Sequence, residues 1–383
     1  MHDLFKQHLL SWQERGLLRQ RKIISTPQSP HLVADGTALL SFASNDYLGL
    51  ASEPEVIKAM QDALAQYGAG SGSSAMVSGH NTLIHELELS FAQYHNLPKA
   101  LHFSTGYMAN LGVLKALALE DTAFFSDALN HASLIDGLRL SKGSTLHIYP
   151  HLDVDNLEQA LKSSRQSNKW IVTDGVFSMD GDIAPLDQLL NLAERYDAFI
   201  YVDDAHGFGV LGTSGRGILE HFSLNSPRLL YMATLGKAMG VFGALVAGDE
   251  VLIDWIMQQS RTYIFTTGTP ATLAAGALKA LSILEKDSSY NYQLKKLIAY
   301  LSSQLAHFTQ YTNVSHSAIH PLMMGESHVV MRVMEKLLGE GIWVPAIRPP
   351  TVPPGSARLR ISLCANHKLS DIDRLVDVLT KVL

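Results

Sequence analysis

Lys237 stands between two glycines in the stretch Thr234-Leu235-Gly236-Lys237-Ala238-Met239-Gly240, with apolar runs on both sides. The run at 229–233 predicts a strand that ends just before it. Burial there disfavours an ammonium, so such a lysine can be an amine nucleophile and a proton carrier. A lysine in a turn is more often exposed and solvating, and this stretch alone does not choose. Asp203 and His206 directly follow a second apolar run, 199–202. The aspartate can hold a positive charge and the histidine can relay a proton, while a turn or helix cap suits an aspartate equally well.

The elements that must position these residues alternate regularly. Short apolar runs near 100–103, 123–125, 146–149, 170–173 and 199–202 predict strands. Between them lie helical patterns, among them the stripe Leu83, Ile84, Leu87, Phe91 and Tyr94 and the segments 106–119 and 186–196. A further helix is expected to open at Asp155-x-x-Glu158. Such βα units predict an α/β fold with a mainly parallel sheet covered by helices. Ligands bind beyond the carboxyl ends of such strands. That rule selects the loops 104–107, 130–131, 174–182, 203–206 and 234–237. An aspartate and a lysine on neighbouring strand ends are what pyridoxal phosphate needs: the lysine forms a Schiff base and the carboxylate keeps the pyridine nitrogen protonated. Gly106 opens a helix whose backbone N–H groups suit a phosphate, and His131 opens another and could stack on the ring.

Hydrophobic residues make up 46% of the 383 and charged ones 17%, which predicts packed domains. The formal net charge of −6 argues against nucleic acid as a partner. No apolar run approaches the ~20 residues of a membrane span, the first residues lack a signal pattern, and the single cysteine, Cys364, allows no intrachain disulfide. A cytoplasmic protein is expected. Three regions are expected: residues 1–50 with a helix and short strands, a large α/β domain over 51–270, and a smaller α+β domain over 271–383. The first helix, over 1–22, ends in Arg19, Arg21 and Lys22, which form either a solvated helix end or a patch for an anion. A hairpin is expected around Ala34-Asp35-Gly36, and a helix start capped by Ser52 before Pro54. The Gly/Ser-rich stretch 68–79 is a connector or a loop lining a site. The proline run 348–354 is a stiff loop. No His-Glu-x-x-His pair occurs; His316 and His320 read as surface residues, and no metal is expected.

Several motifs in combination resemble the α-oxoamine synthase family of fold-type I pyridoxal phosphate enzymes. They are Ser44-Asn45-Asp46-Tyr47-Leu48-Gly49, Asn130-His131-Ala132-Ser133, Gly175-Val176-Phe177-Ser178-Met179-Asp180-Gly181-Asp182, Val202-Asp203-Asp204-Ala205-His206-Gly207, Thr234-Leu235-Gly236-Lys237 and Ala346-Ile347-Arg348-Pro349-Pro350-Thr351. The resemblance covers nearly the whole chain. It implies that Lys237 is the Schiff-base lysine and base, that Asp203 partners the pyridinium nitrogen, that His206 and Ser178 touch the cofactor's 3-oxygen, and that His131 stacks on the ring. It also implies phosphate contacts from Gly106, Tyr107 and Thr234, and from Thr266 or Thr267 across a homodimer with a shared active site. Arg348 is implied as the substrate-carboxylate binder, and Arg19, Asn45, His131 and Thr351 as further substrate contacts. Near Ala75-Met76, several relatives carry an Arg or a His, and here the residues are small or apolar. The implied reaction is a decarboxylative condensation of an amino acid with an acyl thioester. The 346–360 stretch leans towards L-alanine with pimeloyl-CoA or a pimeloyl carrier protein. Sister synthases using glycine or serine, an aminotransferase and a catalytically silent subunit are the alternatives.

Overall fold

The computed structural model describes residues 1–312 and 315–383. The chain forms two compact units, one of Met1–Gly49, Met179–Gly181 and Tyr292–Leu383, the other of Leu50–Ser178 and Asp182–Asn291.

The first unit opens with a helix, His2–Glu14. It stops short of the basic cluster, because the chain turns at Gly16 with φ +65°. Arg19, Arg21 and Lys22 therefore lie beyond the helix, a correction to their expected place at its end. The hairpin forms as expected, β1 (His31–Ala34) pairing antiparallel with β2 (Thr37–Ser41). Asp35 and Gly36 both take positive φ, the geometry a two-residue hairpin turn needs.

The larger unit carries seven strands: β3 (Lys99–Phe103), β4 (Thr122–Asp127), β5 (Thr145–Tyr149), β6 (Asn168–Asp174), β7 (Ala198–Asp203), β8 (Leu229–Thr234) and β9 (Ala244–Gly248). Their order across the sheet is β3-β9-β8-β7-β6-β4-β5. From β8 to β5 all neighbours are parallel, and β9 runs antiparallel to both of its own. The central strands are buried along almost their whole length, so they read as continuous apolar runs rather than alternating ones. Leu101, Phe124, Trp170, Val172, Tyr201, Met232 and Val246 build a core with Val113 and Leu114 of the helix Gly106–Leu117.

Two helix starts differ from the expected caps. Ser52 falls in a short 3₁₀ turn, and the helix Pro54–Tyr67 has Glu53 at its cap position without a side-chain cap bond. Asp153, not Asp155, caps the helix Val154–Ser163 by accepting from Asn156 N. The helix Ala271–Lys286, expected to begin the smaller domain, belongs to the larger unit. It packs on the helices Pro54–Tyr67 and Thr82–Tyr94, and Gly276 admits Met60 where a Cβ would lie 2.8 Å from Met60 Cγ.

In the first unit, β10 (Ile319–Gly325), β13 (Ala357–Ser362) and β12 (Ala346–Ile347) form an antiparallel sheet, while β11 (Ile342–Trp343) adds to β2 in parallel. The helices Ser327–Gly339 and Leu369–Val382 complete it. His320 corrects the expectation of a surface histidine. It lies on β10, 1% exposed, and burial pushes its imidazole down to about 3. Among the described residues no helix is long and apolar enough to cross a membrane.

Candidate active site

Five of the expected site residues, Asp203, His206, Thr234, Lys237 and Ser178, gather at the strand ends of the larger unit. β7 ends on Asp203, with His206 three residues on, and both are buried. β8 ends on Thr234 and delivers Lys237 in a tight loop closed by Gly240 N donating to Lys237 O. Leu235 N donates to Gly243 O, and Val241 N to Leu235 O, so the loop folds back on itself and leaves Lys237 half-buried. β6 ends on Asp174, which lies opposite Asp203 in the register. The turn after it carries Gly175 to the half-buried Ser178.

The helix Gly106–Leu117 starts beside β8. Thr105 caps it, its Oγ1 accepting from Met108 N at 3.1 Å while its carbonyl accepts from Ala109 N. The amides of Gly106 and Tyr107 then remain as the first-turn donors for a ligand. Gly106 is required there: a Cβ would come within 2.9 Å of Thr234 Cγ2. Thr266 and Thr267 follow the short helix Arg261–Ile264, and Thr267 bridges to Ser74. The Gly/Ser-rich stretch is thus tied down rather than loose. Ser71 Oγ donates to Gly268 O, Gly268 N donates to Ser73 O, and Ala75 and Gly79 line a small cavity with Ser104, Thr266 and Thr267.

A hydrogen-bond chain links Asp203 to His131, and the sequence reading missed its middle. Asn110 Nδ2 donates to Asp203 Oδ2 and to Ser133 Oγ, both at 2.7 Å. Tyr201 Oη donates to Asn110 Oδ1 at 2.7 Å, so the amide is held on both sides. Ser133 Oγ lies 2.7 Å from His131 Nδ1, and His131 N donates to Asp174 Oδ2 at 2.6 Å. The contact depends on Gly137, whose missing Cβ lets the helix Ala132–Leu140 approach Leu114 and Asn110 O. The available signal was one asparagine on the apolar face of a helix.

Electrostatics bind the same residues together. His131 keeps one side open to solvent, yet desolvation by the surrounding protein still lowers its imidazole below the usual range. Asp203 opposes this fall and Lys237 adds to it. Burial holds the Asp174 carboxyl well above its ordinary value, and the charge of Asp203 raises it further. Asp203 is 3% exposed, and among the described residues its carboxylate receives the neutral donors Asn110 Nδ2 and Ala205 N. A buried carboxylate without an ion pair among the described residues suits a cationic ring N–H. Together with a half-buried lysine and two open helix-start amides, that donor set fits pyridoxal phosphate.

The remaining expected residues lie in the other unit and form a second cluster. Arg19 Nη2 donates to Thr351 Oγ1 at 2.8 Å, and Arg348 Nη2 to Leu18 O at 2.9 Å. Arg348 Nε is buried without a partner, and no carboxylate pairs with Arg348 among the described residues. Burial and the charge of Arg19 both lower the Arg348 guanidinium from its usual range. Two guanidiniums paired with no carboxylate among the described residues suit an anion. Asn45 Oδ1 accepts from Arg360 Nη1 at 3.1 Å, so it is part of a buried polar group with Ser362.

The family model for class I and II aminotransferases matches residues 37–379. The 8-amino-7-oxononanoate synthase of Herminiimonas arsenicoxydans is 51% identical over 99% of both chains, and that of Methylobacillus flagellatus is 48% identical over 99% of this chain and 96% of its own. This chain belongs to that family and, within it, to the 8-amino-7-oxononanoate synthases. Solved structures agree with this placement. A serine palmitoyltransferase from S. paucimobilis with bound PLP and myriocin superposes with a TM-score of 0.93 at 28% identity, covering 99% of this chain and 96% of its own. The 8-amino-7-oxononanoate synthase from Francisella tularensis gives 0.77 at 32% identity, covering 90% and 97%. The family is therefore of fold type I, with the mainly parallel sheet seen here.

Proposed function

We propose that this chain condenses L-alanine with a pimeloyl thioester, releasing carbon dioxide and the free thiol and giving 8-amino-7-oxononanoate for biotin synthesis. The observation that carries this is the buried Asp203, without an ion pair among the described residues and linked through Asn110 and Ser133 to His131, with Lys237 on the next strand end. When bound, pyridoxal phosphate supplies an aldehyde for the amine and a ring that accepts the electron pair left on the α-carbon.

The protein's own groups have distinct tasks. Lys237 holds the cofactor, then takes the proton from the α-carbon of alanine and later returns one. Asp203 keeps the ring nitrogen protonated, and Asn110 fixes the orientation of its carboxylate. His131, its Nδ1 satisfied by Ser133, would lie against the ring. His206 and Ser178 would hold the 3-oxygen. The amides of Gly106 and Tyr107, with the Thr234 hydroxyl, hold the phosphate, joined by Thr266 or Thr267 of a second subunit in a homodimer. Arg348 would grip the amino acid's carboxylate with its guanidinium fork, Arg19 and Thr351 would serve the acyl substrate, and Asn45 is a further substrate contact.

Mass identification of the product from alanine and pimeloyl-CoA tests the reaction. Parallel assays of thiol release with glycine and serine separate it from the sister condensations. Lys237→Ala should abolish turnover and borohydride labelling; normal turnover would refute the assignment. Arg348→Lys should raise KM for alanine about tenfold, since an ammonium cannot make the bidentate contact.

A further inference from the structure

The sequence pattern His80-x₄-His85-x₂-Glu88 lies outside the chemistry described above. His80 ends the Gly/Ser-rich stretch, and Asn81 caps the helix Thr82–Tyr94 by accepting from Ile84 N at 3.1 Å. His85 and Glu88 sit three apart on that helix, on one face. The two rings meet edge to face, 5.8 Å between centroids, and His80 Nε2 lies 3.9 Å from Glu88 Oε2. One ligand atom from each of the three side chains lies within 4.8 Å of the others.

We propose that His80, His85 and Glu88 form a binding site for a divalent transition-metal ion of the zinc type. Two imidazoles and one carboxylate, with positions left for water, are a common set for such ions. Bonds of about 2.0–2.1 Å place tetrahedral ligand atoms about 3.4 Å apart, and rotation of the two exposed imidazoles closes the remaining distance. The carboxylate is already braced from behind, its Oε1 accepting from His102 N at 2.8 Å. Such an outer hydrogen bond fixes a metal-binding carboxylate in orientation.

The ion would brace a particular part of the fold. His80 closes the stretch whose Ser71, Ser73 and Ser74 are bonded to residues 267–268, and Glu88 reaches β3, which runs into Ser104 and Thr105. A bound ion therefore pins the Gly/Ser-rich stretch to the helix and to the strand leading to the phosphate-binding helix start. This inference does not rest on the reaction proposed for Lys237.

The holoprotein, freed of metal by chelation, should be titrated with zinc chloride by calorimetry. It should also be assayed for metal after gel filtration and melted with and without zinc. One zinc per chain and a higher melting midpoint are expected. His80→Ala and His85→Ala should each weaken binding at least tenfold and lose the zinc-dependent rise. Glu88→Gln keeps an oxygen for His102 N, so it should melt like the wild type without zinc yet bind zinc at least tenfold more weakly. X-ray absorption of the loaded protein should show two imidazoles and oxygen at the metal. The site is overturned if the wild type retains no zinc. It is equally overturned if the double variant lacking both histidines, or Glu88→Gln, binds it as tightly as the wild type.

Discussion

Asp203 and Asp204 are the same residue one step apart, and the fold puts them to opposite uses. Successive side chains leave a strand end in opposite directions. Asp203 meets Asn110 and, through it, Ser133 and His131. Asp204 turns into a fully buried pocket, where Oδ2 accepts from Ile218 N and Tyr231 Oη, each at 2.8 Å, and Oδ1 has no partner among the described residues. Glycines surround it: a Cβ at Gly207 or Gly217 would lie 1.9 or 2.0 Å from its carboxylate oxygens. Burial pushes Asp204 up to about 8. Position on the strand, not residue type, thus separates a carboxylate kept for a ligand's charge from one that ties loops to the sheet.

The sharpest way to break this contrast is Asp203→Asn. Loss of the carboxylate should lower kcat about 10²–10³-fold, the scale of removing one preorganised electrostatic partner. The melting curve of the cofactor-free protein should barely move. A variant that keeps activity within a few-fold would erase the distinction.

Asp204→Asn should do the reverse, acting on stability and its pH dependence. Asp204 binds its proton more tightly folded than unfolded, with a folded value of about 8 against an ordinary 3.8. Its contribution is fully present below about pH 4 and is lost as pH rises towards 8. Denaturant titrations should show the wild type losing a few kcal/mol across that window on this account. Asp204→Asn should remove that part of the slope and be relatively more stable at the alkaline end. A slope identical in both proteins would remove Asp204 as its source.

Asn110→Leu tests the link between the two ends of the active-site chain. It leaves Asp203 Oδ2 and Tyr201 Oη without their buried partner, so about a tenfold fall in kcat is expected. The pH titration of the cofactor's absorbance should shift with it. A purely packing role would lower stability and leave that titration alone. Ser133→Ala, which removes the contacts to His131 Nδ1 and Asn110 Nδ2 but leaves Asn110 on Asp203, should cost a few-fold in kcat.

The strand ends were legible because their signals are local. Continuous apolar runs mark β6, β7 and β8, and polar residues follow them directly, so Asp203, His206 and Lys237 fell at the right edge of the sheet. The helix start at Gly106 and the His131 turn were legible for the same reason. The beginnings of helices were less so, since Ser52 and Asp155 are as good caps as Glu53 and Asp153 on sequence alone, and the backbone chose otherwise. His320 was misplaced because a histidine in a Ser/His-rich stretch gives no sign of burial until β10 pairs with β13.

The amino-acid order by itself determined the βα alternation and the residues capable of amine, carboxylate and imidazole chemistry, because period and strand-end position are read within a few residues. Only the tertiary structure decided what those residues meet. Asn110 and Asp203 are 93 positions apart, Arg19 and Thr351 are 332 apart, and the helix Ala271–Lys286 finds its partners more than 170 residues back. Contacts at such separations arise from which faces pack together, and that choice is made by the whole core at once.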